Sequence, residues 1–415
     1  MDEKLEQVKK ILKEYKQEQL LRCYDKLIEA KKEELLDQIL KIDFEHMQKL
    51  YEETKIKKHF DNFEIKPLAY IDKQKLEKDD KEKLEKDGIE IIKSGKYAVV
   101  TMAGGQGTRL GHDGPKGTFE LDVNPKRPLF TLLSETIREA IEKYDAVIPW
   151  YIMTSKENNS QTQEFFKRHN YFEMGEENVK FFIQNEMPMI DTTGKILVDD
   201  KGMVKQAADG HGGIFEAMRK EGILEDMRSR GIQWIFIAGV DNVLAKMVDP
   251  ILTGLAINSK CLAAGKSVVK NNPKEKVGVF CKKDNRPSVI EYTEITDEMA
   301  EAVDENGELL YGESHILCNL FNIKAIEEIS INKLPYHSAF KKAKYIDENG
   351  VIVVPQEPNA YKFEAFIFDA FERLKDMSIM RVKREEEFAP VKNAEGVDSP
   401  ETAKNLYLDF IKNKK

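Results

Sequence analysis

A glycine-rich stretch follows the first long apolar run of the chain and is the first place where its residues could do chemistry. Residues 103–117 read AGGQGTRLGHDGPKG, after the apolar YAVVTM and before the helix-like PLFTLLSETIREA. A strand, a glycine loop and a helix in this order bring backbone N–H groups together around a phosphate. Arg109 and Lys116 add donors that match phosphate oxygens. The stretch therefore predicts a loop that holds a phosphorylated ligand, with a purely structural turn as the alternative.

Two common phosphate-binding motifs do not fit this loop. The Walker A motif requires a hydroxyl residue after its lysine, whereas Lys116 is followed by Gly117. The dinucleotide fingerprint G-x-G-x-x-G fails because Gly111 comes one position too late after Gly105 and Gly107. An oxidoreductase that uses a nicotinamide dinucleotide is therefore disfavoured.

The composition of the chain limits its partners. With 415 residues, the chain is long enough for two or three packed units. Its net charge of −9 argues against a nucleic-acid-binding protein. No stretch approaches the ~18 apolar residues of a membrane span. Because the cysteines are far apart, without the C-x-x-C spacing of zinc sites, we expect reduced thiols in a cytoplasmic protein. These cysteines are Cys23, Cys261, Cys281 and Cys318.

The first ninety residues differ in kind from the rest of the chain. They contain no proline before Pro67 and no glycine before Gly88, and their apolar residues recur at helical spacing. We predict a helical N-terminal domain over residues 1–92, with the charged run KQKLEKDDKEKLEKDG as a solvated helix that ends at Gly88. A catalytic domain over residues 93–380 and a short C-terminal segment over residues 381–415 follow.

Short apolar runs alternate with helical patterns from Lys96 onward. The runs YAVVTM, VIPWYIMT, VKFFI and QWIFIAGV are typical of buried strands, and the stretches RPLFTLLSETIREAIEKY, NNSQTQEFFKRHN and GGIFEAMRKEGILEDMRSRG of helices. This alternation predicts an α/β fold with a Rossmann-like, mostly parallel sheet and helices on both faces. Further along, residues 267–321 are predicted to be rich in strands, KKAKYIDENGVIVVP to form a hairpin and KFEAFIFDAFERLKD to form a helix.

The glycine-rich stretch resembles the signature of the UDPGP-type, UTP-dependent sugar-1-phosphate uridylyltransferases. Among them it is most similar to the UDP-N-acetylglucosamine pyrophosphorylases. Further matching segments follow in family order: IPWYIMTS, GIQWIFIAGVDN, NNPKEKVGV, VIEYTEI, KFEAFIFDAF and REEEFAPVKNA. The likeness covers about residues 18–405.

The resemblance implies a GT-A-like nucleotidyltransferase sheet and a reaction. UTP and a sugar 1-phosphate would give a UDP-sugar and pyrophosphate with Mg²⁺ or Mn²⁺ as cofactor, and N-acetylglucosamine 1-phosphate would be the favoured sugar. A glucose-1-phosphate or broad-specificity uridylyltransferase is the alternative within the class. A non-catalytic regulator that binds nucleotide sugars is a more distant alternative.

The resemblance also implies roles for residues that contact UTP. Ala103, Gly104, Gly105, Gln184 and Gly210 would bind the nucleotide. The Gln184 amide can both donate to and accept from the uracil edge.

The charged residues of the implied site act on the phosphates. Arg109, Lys116 and Lys362 would hold the triphosphate and stabilise the leaving pyrophosphate. Asp241 follows the apolar run QWIFIAGV, and a carboxylate at the end of a buried parallel strand is well placed to bind Mg²⁺. From this stretch alone, a helix N-cap is an equally good interpretation of Asp241.

The sugar pocket is where the sequence departs from the family pattern. By resemblance, His211, Gly278, Glu291, His315 and Asn319 would contact the sugar. His211 stands where N-acetylglucosamine enzymes carry asparagine, and in this respect the loop ADGHGG resembles the UDP-glucose pyrophosphorylases. His315 stands where both branches favour asparagine, whereas Asn319 resembles the glucose branch. The sequence therefore does not decide which substituent the substrate carries on the second carbon of its sugar.

The C-terminus is shorter than in the eukaryotic enzymes of this family. Those enzymes continue into a β-rich domain tied to oligomerisation, whereas this sequence stops at Lys415. We therefore expect a monomer.

Overall fold

The structure is a computed structural model in which residues 2–56 and 63–414 are described. Two compact units make up the chain. The small unit contains Met1–His59, Asn185–Gly213 and Pro335–Phe366, and the large unit contains Phe60–Gln184, Ile214–Leu334 and Ile367–Lys415. The two units interleave along the chain. The division of the chain into three consecutive domains, with boundaries after residues 92 and 380, stays a prediction.

The α-helices are numbered in chain order over the described residues. They are α1 (Asp2–Glu14), α2 (Glu29–Leu40), α3 (Phe44–Thr54), α4 (Lys78–Lys93), α5 (Leu129–Tyr144), α6 (Asn159–Arg168), α7 (Ile214–Lys220), α8 (Ile223–Ser229), α9 (Pro250–Asn258), α10 (Asp297–Glu301), α11 (Ile323–Ile331), α12 (Arg384–Glu387) and α13 (Pro400–Lys414).

The β-strands are numbered in the same way. They are β1 (Ile65–Pro67), β2 (Ile71–Asp72), β3 (Tyr97–Met102), β4 (Glu120–Leu121), β5 (Arg127–Pro128), β6 (Trp150–Thr154), β7 (Val179–Ile183), β8 (Glu186–Pro188), β9 (Ile190–Asp191), β10 (Gln206–Ala208), β11 (Trp234–Gly239), β12 (Ala263–Val269), β13 (Val279–Lys283), β14 (Arg286–Ile290), β15 (Glu313–Asn322), β16 (His337–Lys341), β17 (Tyr345–Ile346), β18 (Ile352–Val353), β19 (Ala360–Glu364) and β20 (Ser378–Arg381).

A twisted sheet forms the centre of the large unit. Its main path runs in the order β2-β20-β12-β15-β11-β3-β6-β7, with β1, β13 and β14 attached at its side. The pairs β11–β3, β3–β6 and β6–β7 are parallel, whereas β15 runs antiparallel to both of its neighbours. Helices lie on both faces. The mostly parallel α/β fold predicted from the sequence is confirmed.

Continuous burial explains why the central strands read as unbroken apolar runs. Every residue of β3, β6 and β11 is buried, as expected for parallel strands that are covered on both faces. The few polar groups in this layer are satisfied locally: the Trp150 indole N–H donates to the Thr101 hydroxyl at 2.8 Å. Phe130 and Phe166 pack against the Trp150 ring.

Helices α4 and α9 cross in the large unit at two glycines. A Cβ atom on Gly88 would lie 1.9 Å from the Pro250 carbonyl oxygen, and one on Gly254 would lie 1.9 Å from the Leu84 carbonyl oxygen. Gly88 therefore permits a close backbone approach, and α4 continues past it to Lys93. The prediction that this helix ends at Gly88 is wrong, because packing against a distant helix, rather than a C-cap, requires the glycine.

Other predictions about elements need correction. The stretch predicted as a helix from Lys362 begins inside β19, because residues 360–364 pair with β16, and it continues as a short 3-10 helix at Ile367–Arg373. The helix predicted over residues 212–231 is two helices, α7 and α8, separated at Gly222, whose φ is +72°. Strands β1 and β2 interrupt the predicted all-helical N-terminal region, of which residues 57–62 lie outside the described part. The hairpin predicted over residues 341–355 is confirmed as β17 and β18.

The small unit combines helices α1–α3 with short antiparallel strand pairs. One sheet has the order β16-β19-β9, and a second pairs β10 with β8. Buried Gln17, after α1, donates to the Gly194 carbonyl oxygen at 2.9 Å and accepts from the Ile196 N–H at 2.9 Å. This amide ties the N-terminal helices to the loop that follows β9.

No helix within residues 2–56 and 63–414 is both long and apolar enough to cross a membrane. The four cysteines, Cys23, Cys261, Cys281 and Cys318, are free thiols, as predicted.

Candidate active site

The glycine-rich loop after β3 is closed on itself by backbone hydrogen bonds. The Lys116 N–H donates to the Gly105 carbonyl oxygen at 3.0 Å, and the Gly107 N–H donates to the Gly114 carbonyl oxygen at 2.9 Å. Gly111 adopts the left-handed conformation with φ +68°, which glycine tolerates best. The loop is thus held in one shape by its own backbone before α5 begins at Leu129.

A buried asparagine fixes the first part of this loop. Asn158 Nδ2 donates to the carbonyl oxygens of Ala103 and Gly105 at 2.9 and 3.2 Å, and its Oδ1 accepts from the Ser155 N–H at 2.9 Å. Sequence reasoning missed this residue. Its one local signal is its position in the polar run KENNS between a strand and a helix, where asparagine favours capping turns.

Gln184 lies directly against Gly104. It follows β7, where its N–H donates to the Thr154 carbonyl oxygen at 2.8 Å, and its side chain is buried. A Cβ atom on Gly104 would lie 2.7 Å from Gln184 Oε1. The structure thus brings together two residues that were predicted to bind the nucleotide, whereas their uridine contacts stay a prediction.

This contact predicts that Gly104→Ala raises the KM for UTP about tenfold, a cost of ~1.4 kcal/mol. The added methyl group displaces the Gln184 amide from the position that it has against the loop. Steady-state kinetics with UTP as the varied substrate measure the change, and the KM for the sugar phosphate should stay within twofold.

The matched control is a double-mutant cycle with Gln184→Ala. If Gly104→Ala acts by displacing Gln184, its effect on the KM for UTP should largely disappear when Gln184 is already alanine. Additive effects of the two substitutions would contradict this explanation.

Lys116 and Asp241 form an ion pair at the ends of adjacent parallel strands. Lys116 lies in the loop after β3 and Asp241 lies two residues after β11, with 3.6 Å between Lys116 Nζ and Asp241 Oδ2. Each side chain is about one-fifth exposed, at 18% and 21%. Arg109 lies exposed in the short helical turn Thr108–Leu110 of the same loop. The pair therefore faces solvent at the edge of the sheet where ligands of such folds bind.

The segment after α12 clamps the loop that carries Asp241. Asn242 Nδ2 donates to the Glu387 carbonyl oxygen at 2.8 Å, and Asn242 Oδ1 accepts from the Ala389 N–H at 2.9 Å. The Val391 N–H donates to the Asp241 carbonyl oxygen at 2.9 Å. Sequence reasoning recognised the segment REEEFAPVKNA but assigned no residue in it a role. The structure shows that it holds the backbone of the loop at Asp241 and Asn242.

The alternative interpretation of Asp241 as a helix N-cap is wrong. The N-cap of α9 is Asp249, whose Oδ1 accepts from the N–H groups of Ile251 and Leu252 at 3.1 and 3.5 Å. Asp241 precedes an irregular loop rather than a helix, so its carboxylate pairs with Lys116 and caps no helix.

The side chains near Asp241 fit a magnesium ion that takes some of its ligands from the protein and the others from a substrate. Among residues 2–56 and 63–414, no three acidic, histidine or cysteine side chains are grouped closely enough to hold a metal by themselves. Mg²⁺ is commonly held by one or two carboxylates together with waters and substrate phosphates. A single, partly exposed carboxylate at Asp241 is consistent with that arrangement.

Four of the residues predicted to contact the sugar lie together in the large unit. A Cβ atom on Gly278 would lie 3.1 Å from Glu291 Oε1, and the His315 N–H donates to the Gly278 carbonyl oxygen at 2.9 Å. His315 Nε2 and Asn319 Oδ1 share a hydrogen bond at 3.2 Å along β15. The His315 ring packs edge-on against Phe280, with ring centres 5.1 Å apart.

The remaining predicted residues belong to the small unit and meet at the end of β19. Gly210 has φ +86°, and a Cβ atom there would lie 2.3 Å from the Ala365 carbonyl oxygen. The neighbouring His211 ring lies 5.4 Å from the Phe366 ring. Lys362 Nζ donates to Glu364 Oε1 at 2.6 Å. The loop ADGHGG and Lys362 are therefore neighbours within this unit.

Comparisons with known proteins show the family to which the chain belongs. The family model of UTP–glucose-1-phosphate uridylyltransferases (UDPGP) matches residues 41–399. The chain is 39% identical over 332 residues to UDP-N-acetylhexosamine pyrophosphorylase-like protein 1 of Homo sapiens, an alignment that covers 77% of this chain and 66% of the human protein. It is 38% identical over 333 residues to UDP-N-acetylglucosamine pyrophosphorylase of Saccharomyces cerevisiae, covering 77% of this chain and 70% of the yeast protein.

A solved structure is similar over nearly the whole chain. It is the uridine diphosphate N-acetylglucosamine pyrophosphorylase of Trypanosoma brucei in complex with an inhibitor, with a TM-score of 0.83 and 30% sequence identity. The match covers 99% of this chain and 85% of the trypanosome chain. The fold and the resemblance noted in the sequence are thereby confirmed, and the chain belongs to the UDPGP family of uridylyltransferases.

Proposed function

We propose that this protein transfers a uridylyl group from UTP to a sugar 1-phosphate and releases pyrophosphate, with N-acetylglucosamine 1-phosphate as its preferred sugar. The observation that carries the proposal is the Lys116–Asp241 pair beside the loop in which Gly104 meets Gln184. The names of the human, yeast and trypanosome relatives support an N-acetylated sugar.

The chemistry requires positioning and charge rather than a covalent intermediate. An oxygen of the sugar phosphate forms a bond to the α-phosphorus of UTP while the bond from that phosphorus to the oxygen bridging to the β-phosphate breaks. That oxygen keeps the electron pair and leaves as part of pyrophosphate. The attacking phosphate is already ionised, so the step needs no general base. Arg109, Lys116 and Lys362 supply the positive charge that the triphosphate and the leaving pyrophosphate need.

Asp241 and Lys116 have complementary tasks in this proposal. A bound Mg²⁺ supplies positive charge that offsets the phosphate oxygens. Asp241 would be the carboxylate that holds it, and the hydrogen bonds of Asn242 and Val391 fix the backbone of the loop at Asp241. Lys116 is paired with Asp241 in the structure, so a bound triphosphate would compete with this carboxylate for the Lys116 ammonium group.

Selection of the base and of the sugar falls to separate groups of residues. Ala103, Gly104 and Gly105 leave room for the nucleoside, and the Gln184 amide donates to and accepts from the uracil edge. Gly210 belongs to the second glycine loop, next to His211. The group that contacts the sugar consists of His211, Gly278, Glu291, His315 and Asn319.

A second candidate is a uridylyltransferase that prefers glucose 1-phosphate. The specific observation in its favour is His211 in the loop ADGHGG, together with Asn319 on β15. Both candidates use the same nucleotide site, so they differ only in the sugar.

Pyrophosphate release with a panel of sugar 1-phosphates, UTP and Mg²⁺ tests the proposal. We expect kcat/KM for N-acetylglucosamine 1-phosphate to exceed that for glucose 1-phosphate at least tenfold, a difference of ~1.4 kcal/mol. The reverse preference would establish the second candidate. If no sugar 1-phosphate supports pyrophosphate release, a non-catalytic regulator that binds nucleotide sugars would be favoured. His211→Asn is the informative variant, because it should move the ratio further towards the N-acetylated sugar.

We further propose that the protein works as a monomer in the cytoplasm. The support is its net charge of −9 and its four free cysteines. Sedimentation velocity over a range of protein concentrations distinguishes a monomer from a dimer.

A further inference from the structure

A cavity lies in the large unit under the C-terminal helix α13. Its volume is about 370 Å³, and its walls come from α5, α13 and the loop that joins β11 to α9. The apolar part of the wall contains Leu132, Tyr144, Leu244, Tyr407 and Phe410. Small-molecule sites are commonly cavities of ~300–1,000 Å³ with mostly apolar walls and a few polar groups.

A buried charge cluster with one excess cation lies at this cavity. Asp249 Oδ2 pairs with Lys266 and Lys73 at 2.9 and 3.2 Å, and Glu387 pairs with the same two lysines. Lys246 approaches Asp249 Oδ1 only to 3.6 Å. Three ammonium groups thus meet two carboxylates in this cluster. The cluster therefore carries one positive charge more than its carboxylates balance, and a further anion would compensate that charge.

Lys246 is the member of the cluster that faces the cavity with the weakest pairing. Its side chain is 43% exposed, whereas that of Lys266 is fully buried. Attraction by Asp249 raises the pKa of Lys246, but burial and the charges of Lys73 and Lys266 outweigh it and lower this pKa overall. An anion beside Lys246 would relieve that repulsion.

The other carboxylates of the cavity wall already have cationic neighbours. Glu135, Glu139 and Glu386 pair with cations, and Glu85 lies near Lys143, whose pKa it helps to raise. The three pairs are Glu135 with Arg127, Glu139 with Lys414, and Glu386 with Lys383. These carboxylates therefore do not supply the missing countercharge for Lys246.

We propose that this cavity binds a small organic anion, a carboxylate or phosphate on an aromatic or aliphatic body, with Lys246 as its countercharge. Tyr407 and Phe410 contact the apolar body. Val243 and Leu244 line the cavity and directly follow Asp241 and Asn242. An occupant therefore acts on the loop that carries Asp241, which makes the cavity a regulatory site. The regulatory part rests on the function proposed above, whereas the binding part does not.

Binding is tested by titrating the full chain with benzoate and phenyl phosphate, with benzyl alcohol as the uncharged analogue. Isothermal titration or ligand-observed NMR gives the affinities. We expect both anions to bind more tightly than benzyl alcohol, and Lys246→Gln to weaken both at least tenfold. Lys414→Gln is the matched control, because this lysine lies on the same wall but is paired with Glu139. It should change the affinities less than threefold.

Two further variants and a competition locate the bound probe. Phe410→Ala should weaken benzoate but leave the affinity for inorganic phosphate unchanged. UTP should not displace benzoate, whereas displacement by UTP would place the probe in the nucleotide site and overturn the proposal. Equal affinities of the wild type and Lys246→Gln would overturn it as well.

The regulatory part is tested through the Mg²⁺ dependence of pyrophosphate release. Saturating benzoate should shift the Mg²⁺ concentration for half-maximal rate at least threefold in the wild type and leave Lys246→Gln unchanged. An equal shift in both proteins, or none in the wild type, would refute regulation through this cavity. A chain with no turnover would refute the proposed function, while the binding comparison would still decide whether the cavity takes an anion.

Discussion

Replacing Asp241 by asparagine is expected to lower kcat for pyrophosphate release about 10³-fold, a loss typical of removing one charge-stabilising group from an active site. Asparagine keeps the size of the side chain but removes the negative charge that a cation needs. Lys116, 3.6 Å away, loses its anionic partner and becomes more available to the triphosphate. We therefore expect the KM for UTP to stay the same or to fall. Steady-state kinetics, together with calorimetric binding of UTP, separate these two effects.

The control for this experiment is Asp113→Asn. Asp113 is an exposed carboxylate in the same loop as Lys116, so its replacement changes the net charge of the chain equally. Its kcat should stay within about twofold of the wild type, as is usual for an exposed position. A kcat above one-tenth of the wild type in Asp241→Asn would contradict the role of Asp241, and an equal loss in both variants would point to net charge instead.

The sequence predicts the central strands well for a physical reason. Strands buried on both faces need apolar side chains at every position, and this need is visible locally in YAVVTM, which coincides with β3, and in QWIFIAGV, which contains β11. Gly88 shows the opposite case. Glycine is needed there because the Pro250 carbonyl oxygen of a distant helix lies too close for a side chain, and the sequence around Gly88 does not reveal that contact. The segment from Lys362 likewise becomes a strand because β16 pairs with it.

The residues of the candidate site likewise fall into those that the sequence predicts and those that only the folded chain reveals. Residues that project from strand ends, such as Lys116 and Asp241, can be recognised because the glycine loop and the apolar strand stand next to them in the sequence. Asn158 and Asn242 act on backbone carbonyl and N–H groups that only the folded chain brings near. Asparagine side chains of this kind have no sequence signal apart from their place in a turn.

Replacing Asp249 by asparagine is expected to lower the free energy of unfolding by about 3–5 kcal/mol, the usual cost of breaking a buried ion pair. The change leaves Lys266, which is fully buried, and Lys73, which is 12% exposed, with only Glu387 between them. Asparagine is also a good N-cap, so α9 keeps its first-turn hydrogen bonds. The loss therefore reports the charge rather than the helix start. Urea unfolding of the full chain, followed by circular dichroism, measures it.

The pH dependence of this loss has a definite sign. Burial alone would raise the pKa of Asp249, but the charges of Lys266, Lys246 and Lys73 hold this pKa well below its usual value. A carboxylate with a lowered pKa stabilises the folded chain above its unfolded pKa of about 3.9 and loses that effect as the pH falls through the folded value. The difference in stability between the wild type and Asp249→Asn should thus be constant near neutral pH and shrink as the pH falls into the acid range.

Lys266 determines the pH above which the stability difference between the wild type and Asp249→Asn changes again. Burial lowers its pKa, but Asp249 and Glu387 outweigh burial and raise the pKa overall. Its contribution is therefore complete below the unfolded pKa of about 10.4 and is lost as the pH rises through the folded value. The difference in stability should shrink again in strong base.

A second substitution decides whether the cost arises from the unpaired lysine. Lys266→Met in the Asp249→Asn background removes the cation that has lost its partner and leaves Lys73 with Glu387 at 2.9 Å. Because replacing buried charges by apolar groups is often neutral, the double variant should recover a large part of the stability that Asp249→Asn loses. Asp122→Asn breaks an exposed pair with Lys404 and should have little effect on unfolding. Additive losses from Asp249→Asn and Lys266→Met would show that each residue stabilises the chain through separate contacts, contrary to the ion-pair explanation.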